Sequence, residues 1–308
     1  SHFVWAARRA GRDVVVLDDG SANTSPPLPD GVEVVRGDVG DAAALAALFA
    51  RTKARAVVHF AGLIQVGESV RRPEAYFDTN LVKGLRMLEA ARAAGVTELV
   101  FSSTAAVYGE PERVPIPEEL PKKPVNPYGA SKLAFEYALE AYEKAHGFTW
   151  AALRYFNAAG ADPGGKLREA HDPETHLVPL VIDAALGRRG PLTVFGDDYP
   201  TEDGTCVRDY IHVNDLAAAH LAALDRLDRG ETVGALNLGT GRGSSVREVL
   251  DAVARVVGKP VPHAIGARRD GDPARLVADP ARAKHVLGFT AARSDLETIV
   301  EDALRSRT

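Results

Sequence analysis

The sequence predicts an α/β protein: a doubly wound parallel sheet with helices on both faces, joined to a smaller, partly interleaved C-terminal domain. Three observations predict it. Short β-branched runs alternate with helical runs from the first residues to about residue 157, the pattern of strand–helix–strand units. The β-branched runs are apolar on both faces, as strands between two helical layers must be. After Gly160 the texture changes: Pro, Gly and His crowd "ADPGGKLREAHDPETHLVP", and the loops lengthen.

Each element follows in order. An amphipathic run from Phe3 to Ala10 stops at Gly11, and a strand from Val14 to Leu17 ends on Asp18 and Asp19. Helix, strand, then acid is the second half of a nucleotide-binding unit. "VEVVRGDV" reads as a strand running into a loop, "DAAALAALFA" as a helix with Asp41 at its start, and "RAVVHFAG" as a strand ending in small residues. "NLVKGLRMLEAARAAG" is a helix stopped by Gly95. "ELVFSSTAAVYG" is a strand ending in hydroxyls, "SKLAFEYALEAYEKAHG" a helix, and "TWAALRYFNAAG" a strand into a loop. Two regular pieces stand out beyond Gly160. "NLGTGRGSSVREVLDAVARVVGK" is a strand, a glycine turn and a helix, with Ser245 and Glu248 at capping-box spacing. "SDLETIVEDALRSR" is a closing helix. The polar stretch "FGDDYPTEDGTCVRDY" is long enough to be a functional loop. The expected boundaries are a nucleotide-binding domain at 1–157 and a substrate domain at 158–308, with 207–258 partly returning to the first.

Composition narrows the class. At 308 residues, 45% hydrophobic and 26% charged, the chain can bury a large core. A net charge of −5 argues against nucleic acid as a partner. The single cysteine, Cys206, rules out an internal disulfide and points to a cytoplasmic home. No apolar run is long enough to span a bilayer, so no membrane partner is expected. Arg8, Arg9, Arg12 and Asp13 interrupt the one stretch resembling a signal peptide.

Ligands of an open α/β sheet sit at the carboxyl ends of its strands. Asp18 suits the adenosine ribose hydroxyls of NAD, or is a solvated turn acid. Asp38, in "GDV", is placed to meet the adenine. The small residues of "HFAG" let backbone approach a ligand, and His59 reads as a packed strand histidine. Asn80 either contacts the far side of the cofactor or caps a helix. The sharpest signal is "NPYGASK". Tyr128 and Lys132 lie four apart at a helix start, on one face. An ammonium beside a phenol lowers the phenol's pKa and makes it a general base for a sugar hydroxyl. Thr104 or Ser103, on the hydroxyl-rich strand end, is placed to bond the same hydroxyl.

In these residues the chain resembles the extended short-chain dehydrogenase/reductases, a Rossmann-type family, and within it the UDP-sugar 4-epimerase branch. The resemblance runs the whole length, through "HFAGLIQVGESV", "FSSTAAVYGE", "NPYGASK", "LRYFNAAGA", "VFGDDYPTEDGTCVRDYIHV", "NLGTG" and "ARRDGD". It implies interconversion of UDP-galactose and UDP-glucose: Tyr128 takes the C4 hydroxyl proton while the C4 hydride passes to tightly bound NAD. The 4-keto sugar turns over and the hydride returns to its other face. Lys132 and Thr104 complete the implied catalytic set. The implied cofactor contacts are Asp18, Asp19, Asp38, Val39, Phe60, Ala61, Gly62, Asn80, Ser102, Ser103, Tyr128, Lys132 and Phe156. For the UDP-hexose they are Thr104, Tyr128, Asn157, His176, Leu177, Thr193, Phe195, Arg208, Tyr210, Arg269, Asp272 and Leu276. Two arginines suit a diphosphate because a guanidinium forks onto two oxygens. The alternative for Arg208 is a salt bridge to Asp209 or a neighbour. No metal ligand is implied, and a homodimer through a helix pair is.

The chain departs from the family at Ile64, where many relatives carry a lysine near the cofactor, and at His176, where several carry asparagine. Leu276 stands where a bulky tyrosine excludes N-acetylated sugars, so UDP-GlcNAc/GalNAc stays open, as does UDP-xylose/arabinose. A 4,6-dehydratase needs an acid and a base just after Thr104, but Ala105 and Ala106 stand there. The remaining rival is a non-catalytic NAD-binding relative. In the family a strand and a Gly-x-x-Gly-x-x-Gly turn precede the "SH" that opens this sequence. The expectation is that the sequence is partial, and that the chain as it stands lacks the pyrophosphate turn and does not retain NAD.

Overall fold

A computed structural model describes residues 1–21, 27–167, 169–171, 173–269 and 272–307. The first part of the chain runs α1 (His2–Arg9), β1 (Val15–Asp18), β2 (Glu33–Arg36), α2 (Ala42–Thr52), β3 (Ala56–His59), α3 (Val66–Arg71), α4 (Pro73–Phe77), α5 (Lys83–Ala93), β4 (Glu98–Thr104), α6 (Pro127–His146), β5 (Thr149–Tyr155) and β6 (Asn157–Ala159). The second runs α7 (Leu177–Ala185), β7 (Leu192–Phe195), β8 (Val207–Arg208), β9 (Tyr210–His212), α8 (Val213–Leu227), β10 (Gly234–Leu238), β11 (Ser244–Ser245), α9 (Val246–Val257), β12 (His263–Gly266), β13 (Arg275–Leu276), α10 (Ala281–Leu287) and α11 (Leu296–Arg305).

Local chemistry sets the helix that matters most. The Asn126 side chain accepts from the Gly129 N–H at 2.9 Å, and Pro127 occupies the first turn of α6. Both satisfy or avoid the orphan donors of a helix start. Gly147 ends α6 at a φ of 69°, the left-handed conformation a C-terminal glycine supplies. Ser245 and Glu248 form the capping box that their spacing predicts.

The main sheet has the order β3-β4-β5-β10, every pair parallel. Alternation along β4 separates its two faces. Leu99 and Phe101 pack with α2, α5 and α6 through Leu45, Met87, Phe135 and Leu139. Val100 faces Leu216 and Leu224 of α8 and Ala283 of α10. Helices therefore cover both faces of a parallel sheet, the predicted architecture. β1 and β2 form a separate parallel pair. The described residues supply no strand pairing between β1 and β3, where the sequence reading expects one more strand.

Regular structure after Gly160 exceeds the two predicted pieces. α7, α8 and the parallel pair β7–β12 were not expected. The cap of α8 is His212, whose ring accepts from the Asn214 N–H at 3.0 Å, and the cap of α7 is His176, with no side-chain cap bond. Neither has the Ser, Thr, Asp or Asn that marks a helix start in sequence. Between residues 207 and 258 the chain divides: α8 and β10 pack on the main sheet, while α9 joins α7 and α11 through Val253, Ile182 and Ile299. β8 pairs with β11 and β13, and β9 pairs with β6.

Candidate active site

The carboxyl end of β4 and the first turns of α6 converge. The Lys132 ammonium is buried, donates to the Ser102 carbonyl at 3.0 Å and lies 4.8 Å from the Phe101 ring centroid. With no carboxylate partner, burial pushes its pKa down to about 8. Tyr128, one turn earlier, lies beside Thr104. Thr104 accepts from the Ala106 N–H at 3.1 Å, turning the chain at the strand end. Burial raises the Tyr128 phenol above its ordinary value, and the nearby Thr104 hydroxyl partly offsets this. The Lys132 ammonium gives one of its three N–H donors to Ser102, which leaves two for other partners.

Asn80 is not a helix cap. It lies in a π-helical turn, Asp78–Val82, between α4 and α5. Its amide grips the loop after β3, accepting from the Leu63 N–H at 2.8 Å and donating to the Leu63 carbonyl at 3.0 Å. It also donates to Ser131 Oγ at 3.1 Å, tying that loop to α6. A Cβ at Gly62 would stand 2.9 Å from Asn80 Oδ1 and 3.2 Å from Lys132 Nζ. The loop therefore needs glycine to approach these groups, leaving an open backbone beside a buried cation. That suits the ribose hydroxyls of a dinucleotide, so the residues present fit NAD.

The other predicted cofactor residues lie along the strand ends. Asp18 accepts from the Gly20 N–H at 2.6 Å and Asp19 from the Ser21 N–H at 2.8 Å. Asp38 accepts from the Gly40 N–H at 2.6 Å and from Lys83 at 2.5 Å, which holds its carboxyl below the usual range. Val39 packs into the core, and Ala61 is exposed. Phe60 packs against His220 and Phe3, at centroid distances of 4.9 and 5.6 Å. The Ser102 side chain lies near the Tyr155 hydroxyl, whose hydrogen-bond partner is His220 Nε2 at 2.5 Å. The Ser103 hydroxyl donates to Glu136 at 2.6 Å, beneath the strand end, so any cofactor contact from Ser103 falls to its backbone. His59 is packed between Phe101 and Phe135. Burial pushes its pKa down to about 3, and its Nε2 has no hydrogen-bond partner.

Four of the predicted UDP-hexose residues, Thr193, Phe195, Arg208 and Leu276, lie on β7, β8 and β13, and Arg269 and Asp272 lie between β12 and β13. Arg208 is paired with Asp272, not with Asp209. Arg269 stacks on Phe195, 4.0 Å from the ring centroid, and Thr193 is exposed on the same strand. Leu276 stands opposite Arg208 and packs with Phe156 and with Leu133 of α6, which links this group to the Tyr128 helix. The Asn157 amide donates to the Asp209 carbonyl at 3.2 Å. Tyr210 is buried in the core shared by α7 and α9, near enough to Arg208 and Asp272 for its hydroxyl to feel both charges. His176 and Leu177 open α7.

Sequence reasoning missed two buried groups. Asp209 accepts from the Thr240 N–H at 2.8 Å and the Gly241 N–H at 3.0 Å, pinning the glycine turn after β10 beside Arg208. Glu136 and Arg154 form a buried pair beneath β4. Arg154 Nε donates to Glu136 Oε1 at 3.0 Å and Nη2 to Oε2 at 2.6 Å. Arg154 Nη1 donates to the Tyr108 hydroxyl at 2.7 Å, which donates to Asn237 at 2.8 Å. The signals were there: Glu136 falls four residues after Lys132 on one helix face, and Arg154 is the one charge inside an apolar strand.

Comparison with known proteins places this geometry. Residues 1–239 match the NAD dependent epimerase/dehydratase family. The chain is 50% identical to a UDP-glucose 4-epimerase of Streptomyces lividans over 295 residues, covering 96% of this chain and 88% of that protein. It resembles the crystal structure of a Brucella ovis UDP-glucose 4-epimerase in complex with NAD, with a TM-score of 0.94, 44% identity, and 99% and 94% of the two chains covered. A Bifidobacterium longum UDP-glucose 4-epimerase in complex with NAD+ and UDP matches with a TM-score of 0.94 and 40% identity, covering 99% of this chain and 94% of that one.

Proposed function

The chain belongs to the NAD dependent epimerase/dehydratase family, and from that premise we propose how its own residues serve the reaction. It is an NAD-dependent enzyme that interconverts UDP-glucose and UDP-galactose by inverting C4 of the hexose. NAD, when bound, supplies the acceptor and donor for the C4 hydride, so the reaction has no net redox change. The observation that carries the assignment of roles is the convergence of Tyr128, Thr104 and Lys132 at the end of β4, beside the open backbone of Gly62. Tyr128 takes the proton from the C4 hydroxyl and returns it after the sugar turns. Thr104 orients that hydroxyl and the phenol together. Lys132 keeps ammonium donors free for the nicotinamide ribose, while Asp18 and Asp38 serve the adenosine end. Conversion of UDP-galactose to UDP-glucose, followed by a coupled UDP-glucose dehydrogenase, tests the activity. Absence of turnover in NAD-loaded protein would overturn it.

Arg208 and Arg269 hold the diphosphate while the hexose rotates, with Phe195 and His176 toward the base. Arg208→Ala or Arg269→Ala should weaken UDP binding by ~2–5 kcal/mol, the scale for truncating one partner of a buried charged contact. Bound NAD should stay constant. Unaltered UDP affinity by calorimetry would place the anchor elsewhere.

A homodimer fits the apolar surface of α3, α4, the π turn and α6. Val66, Val70, Phe77, Val82 and Tyr137 are exposed there, more than scattered surface residues require. Val70→Glu with Phe77→Glu should convert a dimer to monomer by light scattering, and an unchanged mass would remove this interface. No helix among the described residues is long and apolar enough to cross a membrane. With a single cysteine, the cytoplasm is the compartment we assign.

A further inference from the structure

The loop leading into α7 gathers Glu169, His171 and Glu174, which the epimerase chemistry does not use, around His176. Donor atoms of Glu169, His171 and His176 all lie within 4.8 Å of one another. The Glu169 carboxylate sits between the two imidazoles: one oxygen bonds His171 Nδ1, and the other is 3.8 Å from His176 Nδ1. The ring centroids are 5.0 Å apart. Glu174 faces the same His176 Nδ1 at 2.8 Å, and its second oxygen is buried without a hydrogen bond, 3.5 Å from Arg307.

We propose that Glu169, His171 and His176, with Glu174 beside them, form a site for a borderline divalent cation of the Zn²⁺ class, and that filling it excludes the nucleotide from His176. Two imidazoles and a carboxylate are the donor set zinc takes; magnesium and calcium prefer oxygen alone. Donors of a tetrahedral zinc sphere stand ~3.3 Å apart for bonds of ~2.0–2.1 Å, so a pair at the 4.8 Å limit closes by ~1.5 Å. That movement falls on a loop, not on a packed element. Two carboxylates balance the charge of the dication, so the filled site is neutral apart from Arg307 beside Glu174. A metal on His176 turns its ring into the cation sphere. The second half of the proposal rests on the reading of His176 as a nucleotide contact.

The test separates the two halves. Tag-free protein is titrated with zinc against a chromophoric chelator, alongside His171→Ala and Glu169→Gln. His171 is exposed and Glu169 half-buried, so both variants should fold and keep zinc-free epimerase activity. One equivalent should bind to the wild type, at least ~10-fold more weakly to each variant, and magnesium should not compete. UDP affinity, by calorimetry with one equivalent of zinc, should fall for the wild type and not for His171→Ala. Zinc binding that both substitutions leave unchanged, or no stoichiometric zinc, would overturn the site. Zinc that needs His171 but leaves UDP affinity unmoved would overturn the exclusion and remove His176 from the nucleotide anchor.

Discussion

Tyr128→Phe should lower epimerisation by ~10²–10⁴-fold, the cost of losing a positioned general base, while UDP-sugar affinity stays nearly constant. The substitution removes one oxygen from a half-buried ring that is packed edge-on against Tyr76, 6.4 Å between centroids. It takes away no charged anchor, since Arg208, Asp272 and Arg269 lie on other elements. The Thr104 hydroxyl lies beside the phenol and lowers its pKa, so Thr104→Val should act in the same direction and more weakly. The measurement is kcat by the coupled assay, with UDP binding by calorimetry on the same preparations. Turnover near the wild-type rate in Tyr128→Phe would mean that another group takes the proton.

Glu136→Ala should cost ~3–5 kcal/mol of stability, because removing one partner of a buried ion pair strands the other charge. The stranded group is Arg154, 2% exposed. Its guanidinium would keep Tyr108 but lose both bonds to the carboxylate. For a chain of this size the melting temperature should fall by roughly 6–10 °C, at about 2 °C per kcal/mol. Ser103 loses its acceptor too, so the end of β4 loosens between Ser102, which receives Lys132, and Thr104, which meets Tyr128. The folded fraction should therefore show a lower kcat with little change in KM for UDP-galactose. Glu136→Gln, which keeps the shape and one acceptor, should recover part of both. A melting temperature within about 2 °C of the wild type in Glu136→Ala, less than ~1 kcal/mol, would show that the pair contributes little.

The sequence by itself determined the parallel α/β architecture, because two-sided apolar strands such as "ELVF" and "WAAL" have no other stable setting. It also set Tyr128 and Lys132 on one face of α6, because residues at i, i+4 share a helix face wherever the helix packs. The capping box of α9 was legible for the same reason: its partners are three residues apart. The helices α7 and α8 were not legible, since their caps are histidines and their burial depends on neighbours distant in the chain. Tertiary structure alone decided how the charges pair. Arg208 meets Asp272 across 64 residues, Asp38 meets Lys83 across 45, and Tyr108 meets Asn237 across 129. It decided the direction of the Tyr128 shift, since desolvation depends on what packs around the phenol. It also brought His171 and His176 to one carboxylate. These are differences between burial and pairing, and both are properties of the assembled surroundings rather than of spacing along the chain.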